Sequence, residues 1–251
     1  MRFAITGCDN SLGVFEAFLA AGWEPVKLFT FSTQGSLESN QKIIELAQGK
    51  RINVQLSRMT DADLRELGER GCDALIVSGY NWRIGNWHPY LQYAVNFHPS
   101  PLPEARGPYP LARAIMEDRK MWGVSCHQLD ANFDTGNILA TELFGLDEME
   151  CHERLNLKIQ MASTRLAKLV ASDFVNLWNA AQPQSAGDYW PNLSVADRTV
   201  DFFYPVAAIM RKVRALGLLG CLAQVNDVWI CITRRRLGRS ACPYTRLGRA
   251  H

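Results

Sequence analysis

Val95–Pro103 reads VNFHPSPLP, an apolar run that carries an Asn and a His two residues apart and then stops against proline. On an extended strand, residues two apart point to one face, so Asn96 and His98 project together. Pro99 restricts His98 to an extended conformation and cannot continue a ladder, so the strand ends there with the imidazole at its tip. Five of the eleven prolines fall within the twelve residues that begin at Pro99, so the segment behind the strand holds its shape at little further entropic cost. Open parallel sheets place ligands outside the carboxyl ends of their strands, which makes this strand end a candidate site.

Outward from this stretch, short apolar runs alternate with helical patterns over the first 150 residues, the signature of βα units building a parallel sheet. Strands are expected at Phe3–Thr6, Val26–Phe31, Asn53–Leu56, Ala74–Ser78, Ala94–His98, Gly123–Gln128 and Ile138–Glu142. Helices are expected at Leu12–Ala21, Asn40–Gln48, Asp61–Arg70 and Pro110–Asp118. Apolar residues at spacings of three to five from Leu155 to Leu177 predict one long amphipathic helix over Cys151–Ala181. Gln182–Asp188 (QPQSAGD) reads as a linker and Val206–Leu216 as a last helix. Cys221–Val225 and Val228–Thr233 flank Asn226-Asp227 as a β-hairpin. The fold class is therefore α/β: a Rossmann-like, mostly parallel sheet flanked by helices, with a catalytic domain over 1–181. A linker, a small helix-and-hairpin unit and a basic tail follow over 182–251.

The chain has 251 residues and 47% hydrophobic content, enough for a substantial core. A net charge of +2 argues for neither a nucleic-acid nor a membrane partner. From Pro205 onward, however, nine Arg or Lys face one acid, Asp227, which reads either as a solvated, partly mobile end or as a contact for a phosphate-bearing partner. Gly238–His251 shows no periodicity and is expected to be loose. The seven cysteines form no CxxC pair, so they are expected reduced and mostly buried, and no metal site is implied. With no apolar leader and no run of about 18 apolar residues, a soluble cytoplasmic protein is expected.

Three motifs could carry chemistry. The first βα turn, GCDNSLG (Gly7–Gly13), lacks G-x-G-x-x-G spacing, which disfavours a dinucleotide site and leaves a structural turn or an anion contact. FDTG (Phe133–Gly136) resembles an aspartic-protease triplet, but such enzymes pair two Asp residues and this chain has one DTG in an α/β context. Asn96 and His98 suit acyl transfer, the amide donating to a developing oxyanion and the imidazole moving a proton, with an Asp to orient it. A hydrogen-bonded structural pair is the alternative. No Ser or Cys occupies a nucleophile elbow, so direct attack by an acceptor is favoured over a covalent enzyme intermediate.

The stretch from Asn96 to Glu142, NFHPSPLPEARGPYPLARAIMEDRKMWGVSCHQLDANFDTGNILATE, closely resembles the core of the folate-dependent formyltransferases, and weaker likeness extends over most of the chain. The matching elements are Asn96-x-His98, the loop Ser100–Pro103, Gly107, the strand Gly123–His127, and Asp134 with Gly136. The resemblance implies N10-formyltetrahydrofolate as donor and direct attack by an acceptor amine. Asn96 would stabilise the oxyanion, His98 would assist proton transfer, and Asp134 would orient His98 and help deprotonate the amine. Tyr80, Trp82, Arg83 and Ile84, with Leu129, Asp130 and Asn132, fall where the family holds the pterin, although Trp82 and Ile84 suit a core equally well. His127 matches a family histidine and is expected to be buried in its strand; His88 and His152 match nothing and are expected at the surface. Pro101 stands where the family usually has Leu, and Ser125 where it has Thr. Relatives that formylate tRNA carry a C-terminal β-barrel, which the helix and hairpin here cannot make. The expected acceptor is therefore a small-molecule amine, above all a nucleotide-linked amino sugar, in a protein that could form a homodimer. Hydroxyornithine or another peptide or siderophore precursor, and methionyl-tRNA, are alternative acceptors; a formyltetrahydrofolate hydrolase is a further alternative.

Overall fold

The computed structural model describes residues 1–33, 38–80, 82–226 and 228–233. Seven strands form one sheet in the order β3-β2-β1-β4-β5-β6-β7. β1 (Arg2–Thr6), β2 (Glu24–Phe29), β3 (Asn53–Gln55), β4 (Ala74–Ser78) and β5 (Tyr93–His98) run parallel. β6 (Met121–Gln128) is antiparallel to β5, and β7 (Ile138–Gly145) is antiparallel to β6. β4 is buried at every residue, which is why its sequence, ALIVS, is apolar throughout rather than alternating.

The helices α1 (Leu12–Ala20), α2 (Gln41–Gly49), α3 (Asp61–Glu69) and α4 (Pro110–Met116) fall between strands as expected. α3 starts on a capping box: the Thr60 hydroxyl accepts from Asp63 N–H while the Asp63 carboxylate accepts from Thr60 N–H. At α4 the βα pattern does not return the chain for a parallel strand, so the mostly parallel sheet ends in two antiparallel strands. α4 has seven residues, about 10 Å of helix, and the proline segment before it is already bonded to the start of β6. The Trp122 indole donates to Pro99 O at 2.9 Å and Leu102 N–H to Ser125 Oγ at 3.0 Å, so β6 begins where β5 ends and runs back beside it.

The long helix expected over Cys151–Ala181 is two helices, α5 (His152–Ser172) and α6 (Phe174–Asn179), broken at Asp173 with φ −135° and ψ 33°. The cause is aromatic packing. The Phe174 ring stands edge-on to Trp23 at 5.1 Å and to Tyr93 at 5.2 Å, and the Trp23 indole N–H takes the Ala171 carbonyl that a continuous helix would have bonded internally. α5 buries Leu155, Ile159, Ala162, Leu166 and Val170 in the larger core cluster with α1 and the odd-numbered residues of β5. His152, expected at the surface, is half-buried, and burial pushes its imidazole below the ordinary range.

Residues 182–188, read as a linker, are bonded to the sheet and its loops. Gln182 pairs with Ile138 through two backbone hydrogen bonds, and the strap ends with Trp190 N–H donating to Arg106 O. The Trp190 indole then stacks on Trp122 with centroids 5.8 Å apart. A short helix absent from the expectations, α7 (Val195–Arg198), follows on a Ser194–Asp197 capping box. α8 (Val206–Leu216) and the hairpin β8 (Cys221–Val225) and β9 (Val228–Ile232) pack through Leu216, Cys221 and Ala223 on Ala112 of α4. Asp227 and the tail Gly238–His251 lie outside the described residues. The six described cysteines are free thiols, five of them buried. Among the described residues no helix is long and apolar enough to cross a membrane.

Candidate active site

Strand alternation sends Val95 and Phe97 into the core beneath α1 and α5, while Ala94 packs with Leu64 and Leu67 of α3 on the other side. Asn96 and His98 therefore open on the α3 side of the sheet. The antiparallel register sets His127 opposite Asn96 and Ser125 opposite His98, so these residues share that face.

Asp134 reaches the same point from the loop after β6. Its backbone is left-handed, φ 57°, and its side chain is buried. The glycine of the FDTG triplet is needed two residues on, because a Cβ at Gly136 would run into the Gln128 carbonyl. Gly107, at φ 100°, donates its N–H to Asp134 Oδ2 at 2.9 Å, and a Cβ there would meet Trp190 O at 2.5 Å. The single DTG thus builds a turn that buries one carboxylate.

His98 Nδ1 lies 3.4 Å from Asp134 Oδ1, and Asn96 Nδ2 donates to the same oxygen at 3.2 Å. His127 Nε2 is 3.1 Å from Asn96 Nδ2 and 3.5 Å from Asp134 Oδ1. The carbonyls fix the tautomers. His98 Nε2 faces Ala105 O at 3.0 Å and must carry the hydrogen there; His127 Nδ1 faces Gln128 O at 2.8 Å and must do the same. His127 Nε2 is then an acceptor for Asn96. Burial pushes His98 below its ordinary range, against the pull of Asp134 and the Ala105 carbonyl. Its Nδ1 is consequently an unprotonated acceptor beside a carboxylate. Burial alone would raise Asp134, but the bond and charge that His127 offers when protonated, the charge of a protonated His98 and the Gly107 N–H outweigh it and hold the carboxyl well below the usual range.

The three residues singled out in the sequence converge, and His127 joins them. It is buried, as expected, but it also touches both Asn96 and Asp134. Alternation placed it with Ser125; only the antiparallel pairing with β5, which the sequence pattern does not show, places it against Asn96.

Ser125 governs the proline loop. Its hydroxyl donates to Ser100 O at 2.9 Å and accepts from Leu102 N–H at 3.0 Å, which leaves Thr141 as the donor in their 3.0 Å contact. A Ser in place of Thr keeps the group that the loop requires.

Of the expected pterin segments, Ile84, Tyr80 and Leu129 pack against the smaller core cluster, and the Tyr80 hydroxyl accepts Met59 N–H at 2.7 Å. Trp82 stands edge-on to Tyr80 at 5.1 Å. Arg83 donates to Ala131 O, tying this segment to the exposed loop of Asp130 and Asn132. Asp130 is engaged locally, accepting from Ala131 N–H and the Thr135 hydroxyl. The first βα turn is structural: Asp9 accepts Ile43 N–H, Asn10 accepts from Asn156 and Gln160 on α5, and Ser11 donates to Ser78 O. His88 is exposed and stacks on Trp87.

An open α/β sheet that gathers an amide, two imidazoles and a buried carboxylate beside a strand end places the chain among the α/β proteins with an acid–base constellation at the carboxyl ends of their strands. More narrowly, the chain belongs to the formyl transferase family, whose model matches residues 33–170. It is 29% identical over 195 residues to a methionyl-tRNA formyltransferase of Paracidovorax citrulli, covering 73% of this chain, and 33% identical over 150 residues to that of Treponema denticola, covering 59%. The matches span 59% and 47% of those relatives' own lengths. Among solved structures, a sugar N-formyltransferase from Shewanella sp. FDAARGOS_354 superposes with TM-score 0.73 at 14% identity, covering 92% of this chain and 96% of that one. A 4-N formyltransferase from Francisella tularensis gives 0.73 at 16%, covering 94% and 98%. HypX from Aquifex aeolicus in complex with tetrahydrofolic acid gives 0.65 at 19%, covering 93% and 37%. At these identities the structures establish a shared fold.

Proposed function

We propose that the protein is an N10-formyltetrahydrofolate-dependent N-formyltransferase whose acceptor is the amine of a nucleotide-linked amino sugar. The observation that carries the reading is the convergence of Asn96, His98 and Asp134 within 3.2 to 3.4 Å contacts at a buried strand end. The donor supplies the formyl carbon. Asn96 Nδ2 presents its two hydrogens to Asp134 and His127 at 3.1 Å or more, and a formyl oxygen entering beside it competes for one of them as negative charge develops. His98 accepts the attacking amine's proton at Nδ1, where Asp134 Oδ1 stabilises the resulting imidazolium. The same proton then passes to the departing nitrogen of the donor, so the site ends as it began. A flat pterin would be held by Tyr80, Trp82 and Ile84 with the loop of Leu129, Asp130 and Asn132, a loop that Arg83 braces through Ala131 O.

A sugar acceptor is supported by the solved neighbours that this chain covers nearly end to end, whose names specify sugar or 4-N formyl transfer. Methionyl-tRNA is the second reading, favoured by the sequence relatives. Incubation with the folate donor and each acceptor in turn, read by a mass gain of one formyl group, separates them. Formylation of the sugar nucleotide, lost in His98→Ala, is expected; modification of tRNA alone would displace the sugar, and equal turnover by the variant would remove His98 from the mechanism.

A further inference from the structure

The left-handed turn that aims Asp134 at His98 is held from a part of the chain beyond the family match, which ends at residue 170. Gln184, in the strap after α6, donates one amide hydrogen to Asp134 O at 3.0 Å and the other to Gly136 O at 2.7 Å. Its own oxygen accepts from Arg106 Nε at 3.0 Å, while Arg106 Nη2 donates to Ser185 O at 3.0 Å. The backbone of Arg106 adds bonds to Asp188 and Trp190, and the next residue, Gly107, donates to the Asp134 carboxylate. The bonds close a ring: Asp134 carboxylate, Gly107, Arg106, Gln184, and back to the Asp134 carbonyl. Both amide hydrogens of Gln184 and its oxygen are engaged within it. A Cβ at Gly187 would strike the Pro103 carbonyl, so the strap is seated directly on the proline loop.

A non-glycine residue held at positive φ persists when its surroundings over-determine it. Here Gly107 and Asn96 hold the carboxylate, and the Gln184 amide holds the backbone of the turn on both sides of Thr135. We propose that Gln184 is a positioning residue for Asp134, fixing the turn that places the carboxylate against His98 and Asn96. The inference rests on the reading that Asp134 works with His98, and it adds the strap to the machinery.

Gln184→Leu is the informative variant, because it keeps the bulk and adds no charge but can no longer donate to Asp134 O or Gly136 O. In the full-length protein, kcat for formyl transfer should fall about tenfold or more, as small misplacements of a reacting group do. KM for the folate donor should stay within about twofold, since Gln184 touches none of the expected pterin segments. Independently of activity, nitrogen-15 NMR of the histidine rings should show His98 titrating at lower pH than in the wild type. The charged or titratable groups facing His98 are Asp134 and His127, and only the attraction of Asp134 is weakened. Unchanged kcat together with an unchanged His98 titration would overturn the proposal. If Gln184→Leu does not fold, as judged by far-UV circular dichroism, Gln184→Ala carries the same two readouts. Should the wild type transfer no formyl group to any acceptor, the functional reading fails, and the His98 titration still decides the role of Gln184.

Discussion

Asp134 illustrates how much one side chain can be asked to do. Its carboxylate accepts from Asn96 and Gly107 while facing two imidazoles, so Asp134→Asn keeps the shape and removes the charge that an imidazolium would need. Transfer by that variant should drop by about 10² to 10⁴, the range for losing acid–base assistance. The pH profile supplies a second check. His98 must be neutral to take a proton, so kcat/KM rises with pH through its titration, which burial places below the ordinary 6.5. Asp134→Asn removes an influence that raises it, so the acid limb of the profile should move to still lower pH; a move to higher pH would contradict the assigned geometry. At this scale the sequence was partly legible. Alternation alone paired Asn96 with His98, and likeness to a family supplied Asp134. His127 as a partner of Asn96, and Gln184 as a support of Asp134, depended on a strand direction and on a contact some 50 residues apart that no periodicity encodes.

At the scale of elements, the edge of the site is a loop pinned by one hydroxyl. Ser125→Ala would remove the hydroxyl that bonds both Ser100 O and Leu102 N–H and leave those two groups only their 3.1 Å bond to each other, at a cost of about 0.5–1.5 kcal/mol for each bond lost. A lower urea midpoint with unchanged slope is expected, together with lost activity, and Ser125→Thr should retain more of both because it keeps the hydroxyl. The break after α5 gives a second prediction. Phe174 fills the space between Trp23 and Tyr93, and Phe174→Ala should cost about 3–5 kcal/mol of stability, read by chemical unfolding. Strands and helices were legible to within a few residues because burial follows the 2.0 and 3.6 periods. The division of α5 from α6 was not, since apolar spacing runs through Asp173 without interruption and the cause lies in rings contributed by distant strands.

For the molecule as a whole, buried titratable groups set the acid limit. His98 and His152 have folded-state values below the ordinary 6.5, so the unfolded chain binds more protons below that pH and stability falls as pH drops. Asp63 adds a later loss. Burial would raise its carboxyl, but bonds from Thr60, Gln55 and Lys27 bring it to about 2, so its contribution is present above 3.8 and disappears as pH falls towards 2. The melting temperature should therefore decline from pH 7 to 5 and again below 4, with His152→Gln flattening the first step. The mostly parallel sheet was legible in the sequence, but the reversal at β6 was not, because a helix-sized pattern after β5 resembles a crossover whether or not it is long enough to be one.

The stacked indoles of Trp122 and Trp190 join an internal strand to the strap that braces Asp134. Two such chromophores at 5.8 Å couple their electronic transitions and give paired bands of opposite sign in circular dichroism; Trp87 and Trp178, 6.4 Å apart, add a pair of their own, and the part lost in Trp190→Phe reports the seated strap. The protein thus carries an optical gauge for the integrity of its candidate site, readable without donor, acceptor or label, and Trp190→Phe marks its zero.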